Sequence, residues 1–447
     1  MTAKRPVISR RSALTASAAS LALLTSSKAA NAQLEVDINQ GQIEPLPTAV
    51  ADFAANSPLG QDLAAQITTI IRNDLQRSGL FDIIDPNAYL QNSADMNPFP
   101  GFADWRLINA QALVSGQVTA NAGQPLSVEF RLWDVFAENQ LRAQRLQASA
   151  ASLRRIAHKI SDAVYERMTG QPGYFDTRIV FVSETGPATA KVKNLAVIDQ
   201  DGANQRTITN GNNLILSPNV SRDGRNVAYI AYHRGGPPRI FVRDLVTGRE
   251  ELLFNQAEGM TFSPRYSPDD QQLLFSLASG GNTEIYAFDL QAQRSVRLSR
   301  HPAIDTSPSF APDGQRIVFN SDRGGSPQLY LMNRDGSNVQ RISYGAGRYG
   351  SPAWSPRGDF IAFTKIKESL FHIGVMRPDG SDERLITRSF LDEQPSWAPN
   401  GRTIVFTRQD PRTDKTSLYT IDWSGYNLRE LKTNTDASDS DWAPLIP

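Results

Sequence analysis

Side chains that could perform nucleophilic, acid–base or metal chemistry are few and scattered in this sequence. It contains no cysteine and four histidines, at positions 158, 233, 301 and 372. The absence of cysteine excludes disulfides, zinc–thiolate sites and thiol nucleophiles. The histidines lie in different sequence units, and His158 has no nearby partner of a metal-ligating type. We therefore expect no catalytic residue, no metal and no cofactor.

Motifs of the common enzyme classes are also absent from the sequence. There is no G-x-S-x-G, H-E-x-x-H or P-loop motif, and no G-x-G-x-x-G beside a strand and a helix. Asp199, Asp201, Asp335 and Asp379 lie in or beside turns of the Asp-Gly type, which raises calcium as a candidate ligand. Hairpin-turn geometry accounts for these residues without an ion.

Composition and charge set broad limits on the class of protein. The chain has 447 residues, which is long enough for two or three domains. Its 46 Lys and Arg residues equal its 46 Asp and Glu residues. A nucleic-acid-binding protein usually has a strong basic excess, so nucleic acid is not an expected partner.

The N-terminus has the layout of a secretory signal. Basic residues at positions 4, 5, 10 and 11 precede a mildly apolar run over 13–24, and Ala30-Asn31-Ala32 provides a cleavage site of the A-x-A type. We expect residues 1–32 to be removed and the mature chain to be periplasmic. Ser9-Arg10-Arg11-Ser12 also resembles a twin-arginine signal, so both export routes stay open. No other stretch is apolar and long enough for a membrane span.

Residues 33–172 show no internal repeat and predict an α/β domain. Ser57-Pro58 has the residues of a helix N-cap and first turn, and Gly79 is a C-cap residue for that helix. Apolar residues from Leu153 to Met168 form one stripe of a second helix. Leu34–Ile38, Ala112–Val118 and the alternating residues around Phe130 predict strands.

Residues 173–447 contain a repeat that fixes the architecture. A Ser-Pro-x-aromatic-Ser/Ala-Pro-Asp-Gly-like motif recurs, and its bulky position falls at residues 220, 266, 310, 354, 397 and 442. These steps of 43 to 46 residues fit a four-stranded propeller blade. The unit around Phe181 lacks its own leading motif, and the truncated copy at Trp442 supplies it. The sequence therefore predicts a C-terminal six-bladed β-propeller whose two ends complete one blade, although a stacked solenoid is the rival arrangement.

The functional surface is expected around the channel of the ring. The residues before each bulky position mix apolar groups with a few charges, a composition that suits a protein partner better than a small anionic substrate. Packing between blades is the alternative role for the apolar ones. Those positions are Leu214, Leu216, Met260, Phe262, Ile304, Thr306, Arg348, Gly350, Leu391, Glu393, Asp436 and Ser438.

Taken together, these features resemble the TolB family. Shared propeller repeats are not specific, but the run Phe390–Ser396 leading into Ala398-Pro399-Asn400-Gly401 is, as is the ending Trp442-Ala443-Pro444. Val114–Val118, the Leu80-Phe81 exit from the first helix and Arg178-Ile179 also fit. The resemblance covers essentially the whole mature chain.

The resemblance implies a non-enzymatic monomer within the Tol–Pal complex, which maintains outer-membrane integrity and supports cell division. It implies that the channel face binds the lipoprotein Pal and that the mature N-terminus binds TolA. By position, the Pal contacts would be Met260, Phe262, Thr306, Arg348 and Glu393. The TolA segment would be Gln33, Leu34, Glu35, Val36, Asp37, Ile38 and Asn39.

Other classes of propeller remain as alternatives. A substrate-gating propeller of a peptidase would be followed by a hydrolase domain, and a lyase-type propeller would gather histidines in its channel. A sugar-binding propeller would need aromatic residues around the channel, where Phe262 is the main one.

Overall fold

A computed structural model describes Leu34, Val36 and residues 44–96, 99–121, 123–211, 213–232, 236–253 and 259–446. The predicted signal, residues 1–32, lies outside them. No helix in these described ranges has the length and apolar character needed to cross a bilayer. The chain from Glu35 onward forms one compact unit.

The first part of the chain is a sheet covered by helices, as predicted. Its strand order is β3-β1-β4-β5-β6, with β2 paired to β4. The strands are β1 (Leu46–Val50), β2 (Ala54–Ala55), β3 (Phe81–Ile83), β4 (Ala112–Thr119), β5 (Leu126–Asp134) and β6 (Asn139–Ala148). The helices are α1 (Pro58–Arg77), α2 (Phe102–Leu107) and α3 (Leu153–Thr169), with short 3-10 turns at Pro86–Ala88, Ala150–Ser152 and Ala188–Ala190.

Helices α1 and α3 form where their sequence signals lie. The Ser57 hydroxyl accepts a hydrogen bond from the backbone N–H of Gly60 at 3.1 Å, which satisfies one free donor at the start of α1. Gly79 follows the end of α1 with a φ of 73°, a left-handed conformation that glycine adopts without steric cost. The apolar stripe of α3 is buried against α1 and the sheet. The sequence predicted two helices and did not identify α2.

Six four-stranded sheets follow, which confirms the six-bladed propeller. Listed from the channel outward, the blades are β30 (Asp436–Trp442), β7 (Arg178–Thr185), β8 (Val192–Asp199) and β9 (Arg206–Thr207); β10 (Leu214–Val220), β11 (Asn226–Tyr232), β12 (Arg239–Asp244) and β13 (Glu250–Leu252); β14 (Met260–Tyr266), β15 (Gln272–Ser279), β16 (Asn282–Asp289) and β17 (Arg294–Arg297); β18 (Asp305–Phe310), β19 (Arg316–Ser321), β20 (Gln328–Asn333) and β21 (Gln340–Arg341); β22 (Arg348–Trp354), β23 (Ile361–Lys367), β24 (Leu370–Met376) and β25 (Arg384–Leu385); β26 (Leu391–Trp397), β27 (Thr403–Gln409), β28 (Thr416–Asp422) and β29 (Arg429–Leu431). We call them blades 1 to 6 in this order.

The ring closes through the two ends of the repeat region. Strand β30 pairs antiparallel with β7, and Trp442 lies opposite Ile179. The innermost strands contact one another in sequence around the channel, and β30 contacts both β10 and β26. The six blades therefore form a closed ring with no terminal blade, so the solenoid alternative is wrong.

Each blade is held by aromatic residues in its two middle strands. The second-strand aromatic is fully buried in every blade, and in four blades it faces an aromatic ring directly across the strand pair. Such cross-strand pairs stabilise a sheet by roughly 0.2–1 kcal/mol each. The facing pairs are Tyr229–Phe241, Phe275–Tyr286, Phe319–Tyr330 and Phe406–Tyr419.

The innermost strands share a bulge that the sequence motif encodes. At the Ser of each Ser-Pro pair, or the residue that replaces it, the backbone has a positive φ of 45–55° and the pairing register shifts. A non-glycine residue in this conformation is costly and needs compensating contacts. The neighbouring blade supplies them: Thr407 accepts from the N–H of Asp439 at 3.0 Å, and Thr364 accepts from that of Gln394 at 3.2 Å.

Helix α3 ends at Thr169 and β7 begins at Arg178. We propose that the division between residues 33–172 and 173–447 falls in this connection. Buried aromatic residues of the connection join the two parts, because Tyr174 contacts both Tyr165 of α3 and Trp442 of the closing strand.

Candidate functional site

The innermost strands begin around one end of the channel, which we call the entry mouth. It is formed by the first three residues of each innermost strand together with Ile304 and Phe390. Four large apolar side chains are exposed here: Leu214 (41%), Met260 (44%), Ile304 (50%) and Phe390 (51%). They lie on four different blades, so the ring arranges them around one opening. Large apolar side chains that are exposed together on one surface of a protein commonly mark a binding site.

The structure places all five residues predicted for this surface at the entry mouth. Met260 and Arg348 are the first residues of β14 and β22, and both are exposed. Phe262, Thr306 and Glu393 lie one or two positions further along β14, β18 and β26 and are half-buried. Together they span four consecutive blades.

Acidic and basic side chains line the entry mouth on blades 1 and 6. Glu184 accepts hydrogen bonds from Lys191 at 3.0 Å and from Ser438, and Lys193 lies 2.8 Å from it. Burial acts to raise the pKa of Glu184, but the bonds from Lys193, Ser438 and Lys191 outweigh it and lower the pKa. Burial raises the pKa of Glu393, and the nearby charge of Asp439 adds to this effect.

The channel is narrow at the level of the bulges. A cavity of about 30 Å³ lies there, and it has room for about one water molecule. Burial raises the pKa of Asp439, although its carboxylate accepts from the N–H of Ser217 at 2.8 Å and faces Arg265. The cavity is lined by Ser217, Pro218, Ser263, Arg265, Ser307, Ser351, Pro352, Gln394 and Asp439.

The opposite end of the channel, which we call the exit mouth, was missed by the sequence analysis. It holds a cavity of about 300 Å³ lined by the bulky repeat positions and the prolines that follow them. Asp441 lies in its wall and accepts from Asn219 at 3.0 Å, from the N–H of Val220 at 2.8 Å and from Ser396 at 2.8 Å. The signal that could have found it is the residue before each bulky position, which is polar or charged in five of the six blades: Asn219, Arg265, Ser309, Ser396 and Asp441.

Neither cavity of the channel offers an evident catalytic set. Among the described residues that line them, none is a histidine. His301 Nδ1 accepts from the N–H of Ala303 at 3.1 Å, and His372 Nδ1 contacts the carbonyl of Thr387 at 2.7 Å. Neither histidine is among the residues that line the channel cavities. His233 lies outside the described residues. This arrangement does not fit the lyase-type alternative.

One expectation about the histidines was wrong. His158 does have partners of a metal-ligating type, because its Nδ1 lies 2.7 Å from Asp74 and it also lies beside Asp199 and Asp201. Asp74 meets His158 within the α/β domain, whereas Asp199 and Asp201 reach it only where that domain docks on blade 1. The sequence could not show this contact, since Asp74 is 84 positions from His158.

The predicted TolA segment is only partly within the described residues. Gln33, Glu35, Asp37, Ile38 and Asn39 lie outside them, whereas Leu34 and Val36 are described. Val36 is buried, and its backbone N–H donates to the carbonyl of Met168 at 2.8 Å near the end of α3.

Comparisons with known proteins identify the family. A model of the TolB amino-terminal domain matches residues 34–141, and one of the TolB beta propeller domain matches residues 165–446. A protein of Paramagnetospirillum magneticum named "Tol-Pal system protein TolB" is 51% identical over 423 residues, which cover 94% of each chain.

The chain belongs to the TolB family. Neither domain model names an enzymatic activity.

Solved structures agree with this assignment. The crystal structure of TolB from Acinetobacter baumannii is 27% identical, with a TM-score of 0.81, and covers 92% of this chain and 100% of that one. The TolB architecture of an α/β domain followed by a six-bladed propeller is thus shared along nearly the whole chain. A chain of Kuenenia stuttgartiensis hydrazine synthase, 12% identical with a TM-score of 0.50, covers 62% of this chain and 47% of its own and is similar in fold alone.

Proposed function

We propose that this chain is a periplasmic, non-enzymatic component of a Tol–Pal system that maintains outer-membrane integrity and supports envelope constriction in cell division. The observation that carries the proposal is the relative named as a Tol-Pal system protein, which is 51% identical over 94% of both chains. The signal-like layout of residues 1–32 supports a periplasmic location.

The entry mouth is the proposed site for the lipoprotein Pal. Its exposed apolar side chains, including Met260, are surrounded by charged groups such as Arg348 and Glu393. An apolar centre with a polar rim is the usual composition of a protein–protein interface. The propeller supplies a rigid support, because these residues lie on the innermost strands of a ring that β30 closes by pairing with β7.

Binding of purified Pal to single variants tests this assignment. We expect Met260→Asp to weaken Pal binding at least about tenfold, because a carboxylate would be desolvated at the interface. Val246→Asp is the matched control, since Val246 is 77% exposed on the outer part of blade 2. It should leave the Kd unchanged within about twofold. Equal effects of the two variants, measured by calorimetry, would contradict a docking site at the entry mouth.

The mature N-terminus, Gln33 to Asn39, is the proposed site for TolA. An extended segment of alternating character can add to the edge of a partner's sheet through main-chain hydrogen bonds. The backbone bond of Val36 to Met168 holds this segment on its own protein, so TolA would have to compete with that contact to bind the segment.

Deletion of residues 33–39 tests the second assignment. We expect TolA binding to be lost while the Tm stays nearly unchanged, because the described anchorage of this segment is limited to the buried Val36 and its backbone bond to α3. A large fall in Tm would mean that the segment is structural. Retained TolA binding would place the TolA site elsewhere on the chain.

A further inference from the structure

A buried polar cluster lies where the α/β domain meets blade 1, far along the chain from the residues of the entry mouth. Helix α1 contributes Asp74, and α3 contributes Arg154 and His158. The turn after β8 contributes Asp201, and β8 ends with Asp199. The hairpin-turn role of Asp199 and Asp201 does not account for their position beside His158, and the proposed binding of Pal and TolA does not involve these residues.

The imidazole of His158 is held in a fixed orientation by one ring nitrogen, whereas the other ring nitrogen lacks a hydrogen-bond partner among the described residues. Its Nδ1 lies 2.7 Å from an oxygen of Asp74, whose other oxygen accepts from Gln200 Nε2 at 3.0 Å. The His158 side chain is only 3% exposed, and its Nε2 has no hydrogen-bond partner among the described residues. A buried nitrogen without a partner is costly unless a further group satisfies it.

His158 belongs to a set of three metal-ligating residues. One ligand atom each from His158, Asp199 and Asp201 lies within 4.8 Å of the others. Metal-bound histidines commonly donate their other ring N–H to a carboxylate, which is the arrangement of His158 with Asp74.

We propose that His158, Asp199 and Asp201 form a site for a divalent transition-metal ion of the Zn²⁺ type at this junction. One imidazole nitrogen and two carboxylate oxygens are suitable ligands for such an ion. The ion would join α3 to the turn after β8 and so cross-link the α/β domain to blade 1. Other bonds already position the carboxylates, since Asn204 donates to Asp199 at 2.6 Å and the N–H of Ala203 to Asp201 at 3.1 Å.

Arginine side chains compete with a metal ion for the same carboxylates. Arg154 hydrogen-bonds to Asp201, and its Nε lies 3.7 Å from Asp199. Arg178 Nε is also 3.7 Å from Asp199. A metal ion must displace Arg154 from Asp201, so removing the guanidinium should strengthen metal binding. A purely structural ion-pair cluster predicts no such gain.

Zinc titration of the untagged mature chain by calorimetry tests the proposal. We expect saturable uptake of one Zn²⁺ per chain, weakened at least about tenfold by Asp201→Asn and by His158→Gln. Arg154→Gln should bind Zn²⁺ several-fold more tightly than the wild type. His301→Gln is the matched control, because His301 is a half-buried histidine outside the cluster, and its Kd should equal that of the wild type.

Three results would overturn the metal site. The first is that the folded wild type shows no saturable Zn²⁺ uptake. The second is that Asp201→Asn binds Zn²⁺ with unchanged affinity, and the third is that His301→Gln alone loses binding. If His158→Gln does not fold, Asp201→Asn and Arg154→Gln decide the question, since their side chains are less deeply buried than that of His158. Pal and TolA binding by the same variants is scored separately, so failure of one proposal does not imply failure of the other.

Discussion

At the scale of single residues, buried carboxylates hold the connection between the two domains. Asp162 of α3 accepts from the backbone N–H of Phe175 at 2.7 Å and from that of Asp176 at 3.1 Å. Asp176 in turn pairs with Arg155 at 3.1 Å, and Arg155 also donates to the carbonyl of Ile446 near the chain end. Burial raises the pKa of Asp162 to about 7, even though the two N–H donors act to lower it.

This pKa predicts a pH dependence of stability with a defined sign. Because Asp162 titrates near 7 when folded and near 3.8 in the reference state, the folded chain binds its proton more tightly. The stabilising contribution of Asp162 to the free energy of unfolding is therefore fully present below about pH 4 and is lost as the pH rises to about 7. The free energy of unfolding falls over this range by at most about 1.4 kcal/mol per pH unit.

Urea unfolding of the wild type and Asp162→Asn between pH 4.5 and 7.5 measures this contribution. Because the amide does not titrate, the stability of the wild type relative to the variant should fall as pH rises and then level off. A difference that stays constant, or that grows with pH, would show that Asp162 remains ionised in the folded chain.

At the scale of elements, the sequence predicted those with strong local signals and missed those that depend on distant contacts. The cap of α1 at Ser57 and the stripe of α3 were both readable, because a helix signals its start and its buried face locally. The parallel pairing of β1 with β3 and β4 could not be predicted, because a short apolar run does not indicate which strand it pairs with or in which register. Likewise, Asp199 and Asp201 approach His158 only once the domains are docked.

The cap of α1 gives a prediction at this scale. Besides accepting from Gly60, the Ser57 hydroxyl donates to the carbonyl of Ala120 at 3.0 Å, so it links the helix start to the end of β4. Ser57→Ala should lower the free energy of unfolding by about 1 kcal/mol. Ser152→Ala is the control, because Ser152 precedes α3 without a side-chain capping bond, and it should cost less than about 0.5 kcal/mol. Equal losses in urea unfolding would argue against the cap.

At the scale of the whole molecule, one strand closes both the ring and the domain junction. Strand β30 completes blade 1 by pairing with β7. Its Trp442 donates from Nε1 to Thr177 at 2.9 Å and packs on Tyr174 of the connection. The sequence predicted this closure from a truncated repeat, because a missing strand at one end and a spare strand at the other are complementary. The docking of the α/β domain has no comparable signal in the sequence, because its contacts involve turns and helix ends.

Replacing Trp442 should therefore act both on blade 1 and on the connection between the domains. Trp442→Ala removes a nearly buried indole and should destabilise the chain by about 3–5 kcal/mol. Trp397 occupies the same repeat position in blade 6, is equally buried and donates from Nε1 to the carbonyl of Ala353 at 2.9 Å. Trp397→Ala is thus a control of similar size and similar expected cost.

The two variants should differ in where the native structure opens. Strand β26, which carries Trp397, is joined to its partner β27 by a short turn, whereas β30 pairs with β7 at the other end of the repeat region. Local opening is easiest where few covalent and packing constraints remain. In Trp442→Ala, amide hydrogen exchange should accelerate in β30, β7 and the connection 170–177, while in Trp397→Ala the acceleration should stay within blades 5 and 6. Equal protection of β7 in both variants would mean that the indole of Trp442 does not secure the closure, and that the backbone pairing of β30 alone holds the ring.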